Sequence, residues 1–399
     1  MTNERIRIGF DAKRIVRNGT GLGSYGRTLV NDLAVAGAEA FDLRLYAPDD
    51  GREDLRTQIA DQPNVSFCYP SSSPLTTHPS PLSTLPSPLS SLLSPLSTQP
   101  KWYWRSRGIV SDLRRDGVRL FHGLSGELPV GLRKAGIRSV VTIHDLIFLR
   151  HPEYYHWWDT RIYTWKFRQT LREADHIIAI SECTKRDIMD LGGVSNDRIT
   201  VIYQSFAPRF TVPSLTPGTA RRGERGRYIL CVGTIEERKN ALLAVQALHH
   251  LPTDLSLVLV GRPTKYADRI RQYAAQHGLS ERVQMLHGVT DDELPRLYAE
   301  AEAFVYPSRY EGFGIPIIEA TAMGLPVVAC TGSCLQEAGG PDALYVSPDD
   351  AEGLAAALRC VLRGADGREQ RISRSRDYIR RFQGNDVARQ VINVYQKLL

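Results

Sequence analysis

The sequence lacks a Cys-x-x-Cys pair, although it contains six cysteines. Several of the six lie in apolar, strand-like runs, so we expect buried free thiols in a reducing compartment. The sequence also lacks a dense run of lysine and arginine, which argues against a nucleic-acid-binding surface. Its formal net charge of +6 is mildly basic and is compatible with acidic small molecules or a phospholipid surface.

Long apolar runs are absent as well. No stretch reaches the roughly 20 apolar residues that a membrane-spanning helix needs. The first residues are charged and lead directly into a predicted strand, so we expect no signal peptide. These features predict a cytoplasmic protein that is attached at most to the inner face of a membrane.

Short apolar runs alternate with helical patterns along most of the 399 residues. This alternation is typical of parallel sheets covered by helices on both faces, so we predict an α/β protein. A segment rich in Pro, Gly and Arg, 206–226, is interpreted as the linker between an N-terminal domain, 1–205, and a C-terminal domain, 227–399. Two doubly wound domains facing a cleft would bind ligands near the carboxyl ends of their strands. The predicted strands include 6–10, 43–46, 65–69, 139–143, 176–180, 228–232, 257–260, 283–286, 303–306 and 326–329, and the predicted closing helix is 382–399.

Residues 73–100 contain Ser-Pro-Leu at positions 73, 80, 87 and 94. The period of seven matches a coiled coil, but a proline in every repeat excludes one. We expect an extended, disordered insertion in a surface loop, with a role in partner binding as the alternative.

The most informative stretch contains Glu311 and Glu319, separated by seven residues. Glu311 lies in a predicted strand-to-helix loop, whereas Glu319 lies inside the following helix. Gly312 and Gly314 allow a ligand to approach the backbone, and the helix N-terminus favours a phosphate. Two carboxylates beside an anion site suit a ligand with both phosphate and hydroxyl groups, such as a sugar nucleotide. The alternative is a solvated pair of glutamates.

Adjacent cations occupy a second strand-to-helix junction. Arg238 and Lys239 follow the predicted strand 228–232 and precede a predicted helix at 241–249. Two cations beside a helix N-terminus could bind a diphosphate, although such a pair is often merely solvated.

The N-terminal half offers two further candidates. His144 follows a β-branched run, at the strand end where a cleft is expected, and Asp145 could orient it or cap the next turn. Gly19, Gly21 and Gly23 form a glycine-rich turn before a helix predicted at 24–35, which could admit a phosphate or a substrate. The alternatives are a structural histidine and a flexible turn.

Residues 154–174 combine aromatic and basic side chains in a helical pattern. Such a helix could lie at a membrane interface or against an acceptor. Ordinary packing of a long helix onto the sheet is the alternative.

Three motifs together resemble glycosyltransferase family 4, which contains retaining transferases that use sugar nucleotides. They are the runs 233–240, 288–294 and 306–320, the last of which carries the spacing of Glu311 and Glu319. The resemblance covers nearly the whole chain outside 73–100. It implies a GT-B fold, in which two Rossmann-like domains face a cleft and the C-terminal one holds most of the donor.

The resemblance also implies roles for the candidate residues. Glu311 would contact the donor sugar and Glu319 the ribose hydroxyls. Arg238 and Lys239 would neutralise the leaving diphosphate in place of a metal ion, with no cofactor. His144 would lie beside the donor sugar. Many relatives carry arginine where this chain has Thr234, which leaves open how Arg238 and Lys239 divide their work. The residues expected to contact substrate are Gly21, Gly23, Asp145, Gly233, Thr234, Val289, Gly312, Phe313, Gly314 and Glu319.

The implied function is transfer of a hexose to a glycan or a lipid-linked acceptor in cell-surface polysaccharide biosynthesis. Resemblance of the run 233–240 to bacterial mannosyltransferases and O-antigen transferases favours mannose from GDP-mannose. The alternatives are a sugar-nucleotide epimerase with the same fold and a non-catalytic sugar-nucleotide-binding partner.

Overall fold

The computed structural model describes residues 4–19, 21–70, 100–210, 226–382 and 384–399. The repeat at 73–100 lies outside the described residues except for Pro100. Most of the predicted linker, 211–225, lies outside them too, so the domain boundary at 206–226 stays a prediction.

Within these residues, thirteen strands form two parallel sheets. The first sheet has the order β3-β2-β1-β4-β5-β6-β7 and the second the order β10-β9-β8-β11-β12-β13, as defined below. The strands are β1 Ile6–Asp11, β2 Phe41–Tyr46, β3 Val65–Cys68, β4 Leu120–Gly123, β5 Arg138–Ile143, β6 His176–Ala179, β7 Ile199–Val201, β8 Arg227–Val232, β9 Leu255–Val260, β10 Val283–Leu286, β11 Ala303–Tyr306, β12 Val327–Cys330 and β13 Leu344–Val346. The predicted α/β class is confirmed.

Helices connect the strands, as parallel pairing requires. A π-helical stretch, Trp104–Gly108, joins α4 to α5. The α-helices are α1 Lys13–Arg17, α2 Gly21–Ala36, α3 Glu53–Arg56, α4 Lys101–Tyr103, α5 Ile109–Arg115, α6 Ile147–Arg150, α7 Trp157–Glu173, α8 Glu182–Gly192, α9 Ala241–Ala247, α10 Tyr266–Gln276, α11 Glu293–Glu300, α12 Ile315–Ala322, α13 Leu335–Gly339, α14 Ala351–Arg359, α15 Arg368–Ile379 and α16 Gly384–Leu398.

The chain forms two compact units. The first contains the described residues up to Thr142 together with Lys166–His176 and Ile392–Leu399. The second contains Ile143–Trp165 and Ile177–Val391. The end of α16 thus groups with the first unit, as expected for a closing helix.

Hydrogen bonds between buried side chains hold α16 in the first unit. The His122 ring is fully buried, with Nδ1 2.6 Å from the Tyr395 hydroxyl and Nε2 2.8 Å from Thr142 Oγ1. Tyr25 reaches the same threonine hydroxyl at 3.1 Å. Because an unpaired polar group in a core is costly, these bonds tie α16 to the central strands.

The second unit has a core on each face of its sheet. Tyr228 and Leu230 of β8 pack into one cluster, whereas Ile229 and Cys231 pack into the other. Successive side chains of a strand point to opposite faces, so an unbroken apolar run covers both. This explains why strands such as 228–232 and 303–306 were readable from sequence.

Some local expectations differ from the structure. Gly21 and Gly23 lie in the first turn of α2, not in a turn before it. A Cβ at Gly23 would lie 1.8 Å from the Asn18 carbonyl oxygen, so this glycine permits a close backbone approach. The short strands β7 and β13 were not predicted, because three residues carry little periodic signal.

The six cysteines are free thiols, as expected. Four are buried, Cys68 is half-buried and Cys360 is exposed. Among the described helices, none combines the length and the apolar character that a membrane crossing requires.

Candidate active site

The second sheet positions the candidate site at its topological switch point. The chain runs outward from β8 through β9 to β10, and then from β11 through β12 to β13 on the other side. The loops after the neighbouring strands β8 and β11 therefore leave the same edge in opposite directions, and open α/β sheets bind ligands at such a point. These loops carry Arg238, Lys239 and Glu311.

Three hydrogen bonds fasten the two loops together. Arg238 Nη1 donates to the Tyr310 carbonyl at 2.6 Å, and the Arg309 amide donates to the Arg238 carbonyl at 2.9 Å. Asn240 Nδ2 donates to the Pro307 carbonyl at 3.2 Å. Asn240 has φ 54°, a left-handed conformation that asparagine tolerates better than most residues. The loops thus form one rigid support.

One oxygen of the Glu311 carboxylate forms ion pairs with both cations of these loops. Lys239 Nζ lies 2.5 Å and Arg238 Nη1 3.0 Å from Oε1. The other end of Arg238 pairs with Glu236 at 2.8 Å. Each of these side chains lies largely out of solvent, except the half-exposed Glu236, so the attraction is weakly screened.

The surroundings keep the cluster ionised. Burial alone would raise the pKa of Glu311, but Lys239 and Arg238 outweigh it and lower the pKa to about 2. Burial would lower the pKa of Lys239, but Glu311 raises it above its ordinary value. At neutral pH the site therefore holds a carboxylate between two cations.

Two hydroxyl groups at this carboxylate were missed by sequence reasoning. Ser308 Oγ donates to Glu311 Oε1 at 2.6 Å, and the Tyr306 hydroxyl lies 3.3 Å from the same oxygen. Tyr306 also accepts from Lys239 Nζ at 2.6 Å. Both residues lie within five positions of Glu311, which could have indicated a shared site. A tyrosine at the end of an apolar strand, however, is usually interpreted as a core residue.

His144 lies in the same unit as Glu311, and its backbone abuts the glutamate loop. A Cβ at Gly312 would lie 1.9 Å from the His144 carbonyl oxygen. Ser181 Oγ donates to the Gly312 carbonyl at 2.7 Å, so polar contacts hold this approach. The Gln204 side-chain amide lies 2.7 Å from His144 Nδ1 and orients the ring. Sequence reasoning missed Gln204, since sixty residues separate it from the histidine.

Asp145 caps the turn that follows it. Its Oδ1 accepts from the Ile147 amide at 3.2 Å. Burial raises the pKa of this carboxyl. Gln204 thus bonds the His144 ring, and Asp145 supports the local backbone.

Glu319 lies in α12, outside the charged cluster. Its Oε2 accepts from the Tyr298 hydroxyl at 3.0 Å. Burial raises the pKa of Glu319 to about 7, and the Tyr298 bond only partly opposes this. Glu311 and Glu319 therefore differ in ionisation although they share one motif.

The remaining candidates of the second unit lie in the loops that follow β8, β10 and β11. Gly233 has φ +147°, and a Cβ there would lie 3.6 Å from Lys239 Cε. Thr234 lines a small cavity beside Lys239, and Val289 is half-buried against the core. The Phe313 ring packs between Tyr203 and Phe382. Gly314 lies directly before α12 and has φ +120°, a conformation that favours glycine.

Neither a metal-binding cluster nor the arginine-lined cavity of the first unit coincides with the candidate residues that the structure describes. Among the described residues, no three His, Cys, Asp or Glu side chains are grouped to hold a metal ion. A cavity of about 420 Å³ in the first unit contains Arg114, Arg119 and Arg138 but none of the candidate residues. It lies where β4 and β5 begin, away from the carboxyl ends at which ligands of parallel sheets bind.

Comparison with solved structures defines the fold. The fold matches sucrose-phosphate synthase from Thermosynechococcus elongatus with a TM-score of 0.75 at 22% identity, covering 99% of both chains. It matches Anabaena Alr3699/HepE in complex with UDP-glucose with a TM-score of 0.71 at 18% identity, covering 99% of this chain and all of the other. The structure therefore has the predicted GT-B fold, in which each domain is built on a parallel sheet.

Sequence comparison gives the family. Residues 21–206 match the model of Glycosyltransferase Family 4, and residues 219–378 match Glycosyl transferases group 1. The O-antigen chain mannosyltransferase B of Escherichia coli is 30% identical over 287 residues, which cover 70% of this chain and 74% of that protein. The chain belongs to glycosyltransferase family 4 and is a glycosyltransferase.

Proposed function

We propose that the protein is a retaining hexosyltransferase that moves mannose from GDP-mannose to a glycan or lipid-linked acceptor in cell-surface polysaccharide biosynthesis. The observation that carries the proposal is the pairing of Glu311 with Lys239 and Arg238 at the switch point of the second sheet. The similarity to an O-antigen mannosyltransferase supports mannose as the sugar. The likeness to a structure that contains UDP-glucose supports a nucleotide-sugar donor.

The cations would act on the leaving group. As the bond between the anomeric carbon and the phosphate oxygen breaks, negative charge develops on the diphosphate and positive charge on the sugar. Lys239 and Arg238 are already fixed before the donor binds. They would therefore stabilise the negative charge on the diphosphate without any rearrangement of their side chains. Arg238 also holds the Tyr310 carbonyl and Glu236, so we assign the larger electrostatic role to Lys239.

The glutamates would divide the donor between them. Glu311 would hold the sugar hydroxyls and face the positive charge that develops on the ring. Glu319 would accept from the ribose hydroxyls, and the backbone amides of 312–314 would approach the phosphate. His144, oriented by Gln204, would lie beside the sugar. Gly21 and Gly23, at the start of α2, would approach the diphosphate and the acceptor.

Retention requires that the acceptor oxygen bonds to the anomeric carbon on the face that the phosphate leaves. We propose that the acceptor hydroxyl passes its proton to the departing phosphate oxygen. No separate protein base is then needed, and Lys239 and Arg238 take the place of a metal ion. Full activity in the presence of EDTA is the expected result.

We further propose that the enzyme works in the cytoplasm, on the inner face of the membrane. The six free cysteines support a reducing compartment. A lipid-linked acceptor would bring the enzyme to that face.

Transfer of radiolabelled mannose tests the proposal. Membrane extracts supplied with labelled GDP-mannose should form a labelled glycan with the wild-type enzyme and not with Glu311→Ala or Lys239→Ala. Label that stays on a nucleotide but changes sugar identity would indicate an epimerase, and label that never changes would indicate a binding protein.

A thermal-shift comparison of GDP-, UDP- and ADP-sugars tests the donor. A ligand at a hundred times its Kd stabilises a folded protein by about 2.7 kcal/mol. GDP-mannose should therefore raise the Tm most, and a larger rise with a UDP-sugar would overturn the choice of donor.

A further inference from the structure

Helix α7 begins with an exposed apolar surface. Trp157, Trp158, Ile162 and Trp165 are between 51% and 62% exposed. Large apolar side chains of this kind are usually buried, and a contiguous exposed group marks an interaction site. The expectation that this helix simply packs onto the sheet is therefore wrong for these residues.

The four residues lie on one side of the helix with Arg161. Positions 157, 158, 161, 162 and 165 follow the spacing that brings side chains to a common helical face. We call these five residues the α7 face. The Trp157 and Trp158 rings stack at 3.6 Å, and the Arg161 guanidinium lies 5.9 Å from the Trp157 ring centre. The arginine thus lies over one of the tryptophan rings of this face.

The neighbouring side of the first turns of the helix packs against residues of the second unit. Tyr163 contacts the rings of Phe148 and Tyr155, at centroid distances of 5.7 and 6.4 Å. Thr160 and Thr164 are half-buried. The helix is therefore anchored by one side, and the α7 face is what it presents outward.

The exposed charges of α7 are mostly positive and favour an anionic partner. Its exposed ionic side chains are Arg161, Arg168 and Arg172 against Asp159 alone. Tryptophan and arginine on one helix are typical of helices that lie in the headgroup region of a membrane. There the tryptophan ring contacts both the acyl chains and the polar headgroups. The excess of positive charge favours anionic lipid.

We propose that the α7 face docks the enzyme on an anionic lipid bilayer. The helix would lie in the plane of the membrane, with its tryptophans about 5–10 Å into the headgroup and acyl boundary. The choice of a bilayer over a protein partner rests on the proposed function, because a lipid-linked acceptor has to be met at the membrane.

Co-sedimentation of the full chain with vesicles tests the apolar contribution. The wild-type protein should bind vesicles of phosphatidylethanolamine and phosphatidylglycerol, and W157S/W158S/W165S should bind at least tenfold more weakly. Trp102, which is 74% exposed on α4, supplies the matched control: W102S should bind as the wild type does. An equal loss with W102S, or no loss with the triple variant, would overturn the proposal.

A charge variant tests the lipid specificity. Each basic residue near an anionic surface strengthens binding about fivefold, so R161Q/R168Q/R172Q should bind roughly a hundredfold more weakly. Salt should weaken wild-type binding, and vesicles of phosphatidylcholine alone should bind poorly. Equal binding to both kinds of vesicle would contradict the anionic-lipid assignment.

Fluorescence separates the proposal from its rivals and from the proposed function. Wild-type emission should shift to the blue with anionic vesicles, and the triple tryptophan variant, which retains Trp102 and Trp104, should show no shift. A change of oligomeric state in that variant would instead indicate a second copy as the occupant. Mannose transfer to a soluble acceptor without vesicle binding would overturn the docking surface alone. Vesicle binding without any transfer would overturn the proposed function alone.

Discussion

The carbonyl oxygen of His144 occupies the space that a side chain at residue 312 would need. A Cβ added to Gly312 would lie 1.9 Å from that oxygen, well inside any real contact. The glutamate loop and the histidine strand end are thereby held backbone to backbone. The position of Glu311, one residue earlier, depends on this approach.

Gly312→Ala should destabilise the protein and reduce transfer. Either loop must move to admit the methyl group, and such overpacking costs about 1–3 kcal/mol. Urea denaturation measures the loss. Gly21→Ala is the control for stability, because an added Cβ there meets nothing within 4 Å. Equal stability of the two variants would contradict the close approach.

Stability should depend on pH through Glu311. Its pKa of about 2 lies below the ordinary 4.5, so the ionised carboxylate stabilises the folded chain above pH 4.5, and this contribution disappears as the pH falls through 2. The shift corresponds to about 3 kcal/mol. The stability difference between wild type and Glu311→Gln should therefore shrink between pH 5 and the acid limit of folding, as measured by urea titrations. Glu237→Gln, at an exposed ion pair with Arg269, should show no such trend.

Lys239→Ala should lower kcat/KM by about 10²–10³, the usual cost of removing one electrostatic contact to a transition state. Lys239→Arg should retain part of the activity. Arg269→Ala, at an exposed cation of the same unit, is the matched control and should stay near wild type. Initial rates with GDP-mannose give these values, and similar losses at both positions would refute a specific role for Lys239.

Donor binding should improve as the pH rises through 7. Burial raises the pKa of Glu319 to about 7, so the carboxylate that can accept from both ribose hydroxyls forms only above that pH. The free protein should lose stability as the pH rises from about 4.5 to about 7, because over that range the folded chain keeps a proton on Glu319 that the unfolded chain has lost, and the dependence should level off above pH 7. GDP-mannose has no group that titrates there, which makes calorimetric Kd values from pH 6 to 8 informative. In Glu319→Gln the dependence should vanish, and a Kd that worsens with pH in the wild type would contradict the ribose assignment.

Gln204→Leu should reduce kcat about tenfold with little change in KM. The substitution removes the group 2.7 Å from His144 Nδ1 and so weakens the hold on the ring orientation. Nitrogen chemical shifts of His144 would report the altered hydrogen bonding, and Gln204→Glu, which can still bond the ring, should restore part of the rate. An unchanged histidine spectrum in Gln204→Leu would show that the ring is held by other groups.

The sequence was sufficient for features that depend on local pattern. Strands such as β11 were recognised because both of their faces are buried, which makes the run uniformly apolar. The loop at Glu311 and the helix at Glu319 followed from glycine and from Pro316 at the helix start. Helix start signals failed at Gly21 and Gly23, since glycine in a first turn looks the same as glycine in a loop.

Only the tertiary structure decided what each of these side chains meets. The spacing of Glu311 and Glu319 in the sequence says nothing about their ionisation. In the structure Lys239 lowers the pKa of Glu311, whereas burial raises the pKa of Glu319. Gln204 reaches His144 across sixty residues. Periodicity in the sequence shows which face of a helix or strand is buried. The side chains that meet at one end of the sheet come from loops far apart in sequence, and the order of the strands brings those loops together. The distances between these side chains then determine their ionisation and their chemistry.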